Sequence, residues 1–222
     1  QKTYPLIQLS LFKTRTFRVD VAGGFITRLG LGGMPFLLPL FYQIGLGFPA
    51  WQSGLLMMPA AAAAMFMKVI SIRVLKKFGY RSVLIANTLL IGCTIMLFAI
   101  VDNTTAIQWI VAISLAQGFF NSLQYSSMNS MAYADVSSEE ASMASTIASS
   151  LQQLSISFGL AFASIIAGWY LGDVSQSNQL AVTNALHYAF LTLGGLTILS
   201  SLSFWSLRKN DGDNVSRGTN QE

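Results

Sequence analysis

Arg28 is the single charged residue in "AGGFITRLGLGGMPFLLPLFYQ", residues 22–43. A guanidinium keeps its proton and offers five N–H donors, so it can hold an anion, balance a carboxylate or tie helices together, but it is not an acid–base catalyst. The next polar groups are amides. Gln117, Asn121 and Gln124 follow at i, i+4 and i+7 in "QGFFNSLQYSSMNS", and Asn129 comes later in the same stretch. That spacing makes one helical stripe. "STIASSLQQLS" adds Gln152 and Gln153, with Ser142, Ser145, Ser149 and Gln152 roughly on one face. Such amides either line a polar path or join neighbouring helices, and both readings stand. The chain has one His and one Cys, with no HExxH and no GxSxG. No nucleophile has a base near it in sequence, so a non-enzyme is expected, with no metal and no cofactor. "GLGG" at 30–33 lacks the strand before it and the Lys-Ser after it that a phosphate loop needs.

These groups need elements to hold them. Of 222 residues, 53% are hydrophobic and 10% charged, against about 25% charge in a soluble domain. The basic residues sit between apolar runs rather than on an aromatic-basic surface, which excludes a nucleic-acid partner. Six apolar runs approach the roughly 20 residues of a membrane span. They predict helices over 17–43, 50–75, 82–101, 105–134, 139–171 and 181–207. Ser137 and Glu140 have capping-box spacing at the start of the fifth. "FGY" at 78–80 and "DNTT" at 102–105 read as turns. The domain reading is a leading cytoplasmic segment over 1–16, a six-helix transmembrane bundle over 17–207 and a disordered cytoplasmic tail over 208–222.

Lys2, Lys13, Arg15 and Arg18 precede the first helix. Arg73, Lys76, Lys77 and Arg81 surround the second turn, and Arg208, Lys209 and Arg217 follow the last helix. The three loops on the other side carry no Lys or Arg. The positive-inside rule therefore places both termini and the basic turn in the cytoplasm. The fourth loop, on that same side, is acidic, with Asp135, Glu139 and Glu140. Trp51, Trp109 and Trp169 fall at outer helix ends and Trp205 at an inner one, as in an aromatic belt.

Arg28 lies 11 residues beyond Phe17, roughly 16 Å along a helix, and so near the midplane of a hydrocarbon core about 30 Å thick. All nine carboxylates (Asp20, Asp102, Asp135, Glu139, Glu140, Asp173, Asp211, Asp213, Glu222) lie at helix ends, in loops or in the tail. None stands at Arg28's depth, so amides solvate it or its counter-charge belongs to another part of the protein. The start at Gln1 also suggests a piece of a longer chain. The first, fourth and fifth helices are expected to face a polar path and the plainer third and sixth to face lipid. Lys68 is expected to snorkel, and His187 and Cys93 to pack. Gly23, Gly24, Gly30, Gly32, Gly33 and the pair Gly168 and Gly172 should let helices approach closely.

"LFKTRTFRVDVAGGF", "RLGLGGMPFLLPLFYQIGLGF", "GLLMMPA", "KKFGYRSVL", "QGFFNS", "SSMNSMA" and "QLSISFG" run in order from Leu11 to Gly159. Through them the chain resembles the C-terminal half of a major facilitator superfamily transporter, in the fourteen-helix drug:proton antiporter branch. The resemblance implies an all-α integral membrane fold of two six-helix bundles around a central cavity, lined by the first, second, fourth and fifth helices of each. It implies proton-coupled export of amphipathic small molecules across the bacterial inner membrane. The partners implied are a small-molecule substrate, protons, the lipid bilayer and an N-terminal bundle of the same protein that supplies the coupling carboxylates. Arg28, Gln117, Asn121, Gln124, Gln152 and Gln153 are the candidate path or coupling residues. The family's loop motif, Gly-x-Leu-x-Asp-Arg-x-Gly-Arg-Arg, is degenerate in "IRVLKKFGYRS". Gly79 and Arg81 remain, but Ile72 replaces the first Gly and Lys76 the Asp, so Lys76 and Lys77 serve either gating or topology. An uptake carrier for a small nutrient and a truncated six-helix scaffold without transport are the alternatives.

Overall fold

A computed structural model of the chain describes residues 15–132, 141–172 and 178–207. The Ser137–Glu140 capping box and the polar tail lie outside the described residues, as do Lys2, Lys13 and the acidic residues of the fourth loop. Six helices form the bundle: α1 (Arg15–Leu40), α2 (Ala50–Phe78), α3 (Tyr80–Leu97), α4 (Ile107–Ala132), α5 (Ala141–Leu171) and α6 (Gln179–Ser200). There is no strand among the described residues. Five of the helices are long and apolar enough to cross a membrane. α4 has the length, at 26 residues, but its amides at 117, 121, 124 and 129 dilute its apolar character.

Local chemistry sets the helix ends. Pro35 and Pro39 each lack a donor for the α1 ladder, and the chain relaxes into a π turn, Phe41–Gly45, directly afterwards. Gly79 alone separates α2 from α3, at φ 75° and ψ 156°, a conformation that excludes side chains. In the 102–105 turn the Asp102 carboxylate accepts from the Thr104 amide (2.8 Å), the Thr104 hydroxyl (2.6 Å) and the Thr105 hydroxyl (3.0 Å). Those bonds, the Thr104 hydroxyl first, hold its pKa below the ordinary carboxylate value. The Asn178 side chain caps α6 by accepting from the Ala181 amide (3.2 Å).

The helices pack chiefly in pairs: α1 on α5, α2 on α4 and α3 on α6, with α1 also meeting α4 and α6. Small residues decide where each pair crosses. A Cβ on Gly159 of α5 would lie 2.7 Å from the Arg28 carbonyl, so the two backbones touch at the level of Arg28. On α4, Gly118 rests against the Ala60 backbone of α2, and the Ser122 hydroxyl donates to the Ala64 carbonyl (2.8 Å). Gly168 has nothing near it and Gly172, at φ 44°, ends α5. This glycine pair is therefore no helix contact within the described residues: Gly168 faces away from the bundle, while Ile166 and Ala167 of the same turns pack into the core and Tyr170 stacks on Tyr188 of α6.

One apolar cluster fills the half of the bundle where α1 ends, around Phe41, Tyr42, Phe98 and Phe190. Phe190 stacks edge-on against Phe41 at 5.2 Å. His187 joins this cluster, its Nε2 2.7 Å from the Val101 carbonyl and its ring 5.6 Å from Phe41. A second cluster fills the opposite half, around Met67, Leu84, Met128, Met131 and Phe204. Cys93 is exposed on α3, pointing out of the bundle rather than into it. Trp51, Trp109, Trp169 and Trp205 are all exposed at helix ends, as residues of an interfacial belt would be.

A candidate solute cleft around Arg28

Arg28 is buried, at 4% exposure, and three helices place it. α5 supports its backbone through Gly159, while its side chain runs back toward the start of α1, the ordinary direction for a helical side chain. Gly24, one turn earlier, makes the room. A Cβ there would lie 2.6 Å from Arg28 Nη1 and would also strike the Met128 methyl. The guanidinium carbon comes within 6.0 Å of the Tyr125 ring centroid on α4. Its Nε has no hydrogen-bond partner among the described residues. The charge therefore sits about one turn nearer the end of the bundle where α1 begins than the Arg28 Cα does.

Tyr125 also lines a cleft of about 450 Å³ between α2 and α4. Ala60, Ala64 and Lys68 form its α2 wall, and Gly118, Asn121, Ser122, Tyr125, Ser126 and Asn129 its α4 wall. Each wall repeats at four residues, so each is one helical stripe. Lys68 is exposed and lines the cleft beside the amides, which the expectation of simple snorkelling omitted. Asn121, Tyr125 and Asn129, at i, i+4 and i+8, were the signal for this face.

The predicted amides separate into groups. Gln117 is buried and donates weakly to Asn121 Oδ1 (3.4 Å), leaving its own Oε1 without a partner. Gln124 is fully buried and turned toward α3. There Asn87 Nδ2 donates to Gln124 Oε1 (2.8 Å) and to the Phe120 carbonyl (2.8 Å), and Gln124 Nε2 donates to Thr88 Oγ1 (2.9 Å). Asn87 Oδ1 remains without a partner. α3, read as nearly featureless, thus supplies two polar groups that bind α4. On α5, Gln152 is half-buried and Gln153 exposed, and no hydrogen bond among the described residues joins either to the α4 amides. At the α2–α3 turn Lys76 and Lys77 are exposed, Arg81 is half-buried, and Lys77 Nζ lies 5.4 Å from the Phe78 ring. No group of three metal-ligating side chains occurs among the described residues.

Among the described residues, the charged groups at the cleft are both basic, Lys68 on its wall and Arg28 behind Tyr125. Between Val21 and Val101, and from Ile107 to Ala132, the sequence has no Asp or Glu. Arg28 lies beside the Tyr125 ring and Lys68 lines the same cleft as Tyr125, and no carboxylate comes from α1 beyond Asp20, from α2 or from α4.

Comparison with known proteins accounts for this architecture. The sequence model of the Major Facilitator Superfamily matches residues 2–160. The "Probable transport protein HsrA" of Haemophilus influenzae is 35% identical over 210 residues, covering 95% of this chain and 45% of that protein. The "Putative multidrug resistance protein MdtD" is 35% identical in Serratia proteamaculans, over 90% of this chain and 42% of the relative. In Klebsiella pneumoniae strain 342 it is 36% identical, over 95% and 45%. The chain spans somewhat under half the length of these relatives, and each of them is named as a transport or resistance protein rather than an enzyme.

Proposed function

Because this chain belongs to the major facilitator superfamily, whose members are multi-pass membrane proteins, we propose that it forms one six-helix half of a secondary transporter that exports amphipathic small molecules in exchange for protons. The observation that carries the proposal is Arg28, a permanent cation buried in α1 with Nε unpartnered. A charge at that depth is costly and, by default, marks a substrate path or a coupling device. Arg28 positions the substrate or balances a carboxylate of the other bundle. Gln117 and Asn121 on α4, with Gln152 and Gln153 on α5, line the path, while Gln124 holds α4 against α3. Both termini and the basic α2–α3 turn face the cytoplasm of a bacterial inner membrane, with Lys76, Lys77 and Arg81 fixing that topology. The multidrug relatives support amphipathic cargo, and the length they have beyond this chain leaves room for the second bundle.

Arg28→Ala in the whole transporter tests the reading. The variant is expected to reach the membrane at normal abundance and to lose proton-driven export from energised everted vesicles. Normal export by a well-expressed variant overturns the role given to Arg28.

A further inference from the structure

The cleft beside Tyr125 differs from a generic greasy binding site in three ways. It is polar on its α4 wall, through Asn121, Ser122, Ser126 and Asn129. It carries a primary ammonium, Lys68, on its α2 wall, and its Tyr125 wall is backed by the Arg28 guanidinium. It has no acidic residue on α2, on α4 or on α1 after Asp20. A cationic solute would meet two like charges there in a medium of lowered dielectric, where repulsion is far less screened than in water. An anionic group would instead find a point-charge donor in Lys68, amide donors from Asn121 and Asn129, and the field of a guanidinium whose Nε is buried and unpartnered. Beside the close contact of Gly118 with Ala60 the cleft holds about 450 Å³, within the ordinary range for a small-molecule site. An apolar ring system can rest on the alanines while its charged end reaches Lys68.

We propose that this cleft is an anion subsite, so that the transporter's cargo is an amphipathic anion, carboxylate or sulfonate in type, with Lys68 as the residue that selects its charge. The inference rests on the export reading and adds the substrate class to it. The test uses two bicyclic probes of similar size and opposite charge, radiolabelled 2-naphthalenesulfonate and N-methylquinolinium. Both are measured in energised everted vesicles carrying the whole transporter and as equilibrium binding to the purified protein. Wild type is expected to bind and accumulate the sulfonate in preference to the quinolinium. Lys68→Gln is expected to lower the sulfonate-to-quinolinium ratio roughly tenfold or more, the scale of one charge-assisted hydrogen bond, and Lys68→Arg to restore it. A wild type that moves the quinolinium but not the sulfonate overturns the anion subsite and leaves export standing. A Lys68→Gln variant that weakens both probes equally assigns Lys68 to folding or coupling and also overturns the subsite. A wild type that neither binds nor moves either probe overturns the export reading and the subsite together.

Discussion

Replacing Arg28 by methionine should separate function from stability, because among the described residues Arg28 makes little stabilising contact. A charged residue near the bilayer centre costs about 2.5–3.5 kcal/mol on insertion scales. Against that, the contact with the Tyr125 ring at 6.0 Å returns about 0.5–2 kcal/mol. Nε returns nothing, having no partner. Methionine is unbranched and flexible enough to occupy the channel that Gly24 leaves beside Met128. The balance predicts that Arg28→Met keeps or raises stability, by about 1–2 kcal/mol at most once the charge's displacement toward the bundle end is counted. Transport should nevertheless fall more than tenfold, as loss of one charge-assisted contact implies. The assay is thermal unfolding of the purified whole transporter, read beside vesicle transport of the same preparation. A variant less stable than wild type by about 2 kcal/mol or more, with transport reduced only in proportion to folded protein, would identify Arg28 as a structural tie and refute the reasoning.

Gln124→Leu removes the two hydrogen bonds to Asn87 and Thr88. Interhelical bonds in membranes average about 0.6 kcal/mol, so a loss of about 1 kcal/mol is expected in the same unfolding assay, with transport retained. The loss should stay small because Asn87 keeps the Phe120 carbonyl and Thr88 the Leu84 carbonyl. Gly79→Ala should cost about 1–3 kcal/mol although nothing lies within 4 Å of the added methyl, because the penalty is the φ of 75° alone. Gly54→Ala, also in open space but with no positive φ, is the control, and its thermal midpoint should hold or rise.

The helices were legible because apolar runs of membrane length dominate the sequence, and their observed ends lie within four residues of the expected ones, except at the end of α6, where the last residues wind into a 3-10 turn over Ser201–Ser206. The amide stripe of α4 was legible only as a stripe. Spacing put Gln117, Asn121 and Gln124 on one side of a cylinder, but which neighbour each meets depends on residues of another helix. Asn87 and Thr88 draw Gln124 toward α3, whereas Asn121 opens toward Lys68. Arg28 was legible in identity and not in position. Its charge lies where Gly24 makes room, and a glycine read as a packing aid gave no hint that it accommodates a guanidinium. Lys68 was read along its own helix, where snorkelling suffices. Its place among the α4 amides depends on the α2–α4 crossing at Gly118 and Ala60.

An anionic cargo changes what the proton gradient must do. Each elementary charge crossing the membrane gains or loses about 2.3 kcal/mol per 100 mV. A monovalent cation exchanged for one proton moves no net charge, so its export draws on the pH difference alone. A monovalent anion leaving as one proton enters moves the equivalent of two positive charges inward, and an inside-negative potential drives both movements. Such a carrier needs little of its cation-balancing apparatus in this half. What it needs is a positive subsite that can hold the anion yet release it, and an exposed lysine on a cleft wall, with its arginine neighbour set back behind a tyrosine, meets both demands better than a fully enclosed ion pair. The scarcity of acids through α1, α2 and α4 is then part of the selectivity of the site, since a carboxylate placed there would neutralise Lys68 and close the cleft to its own cargo.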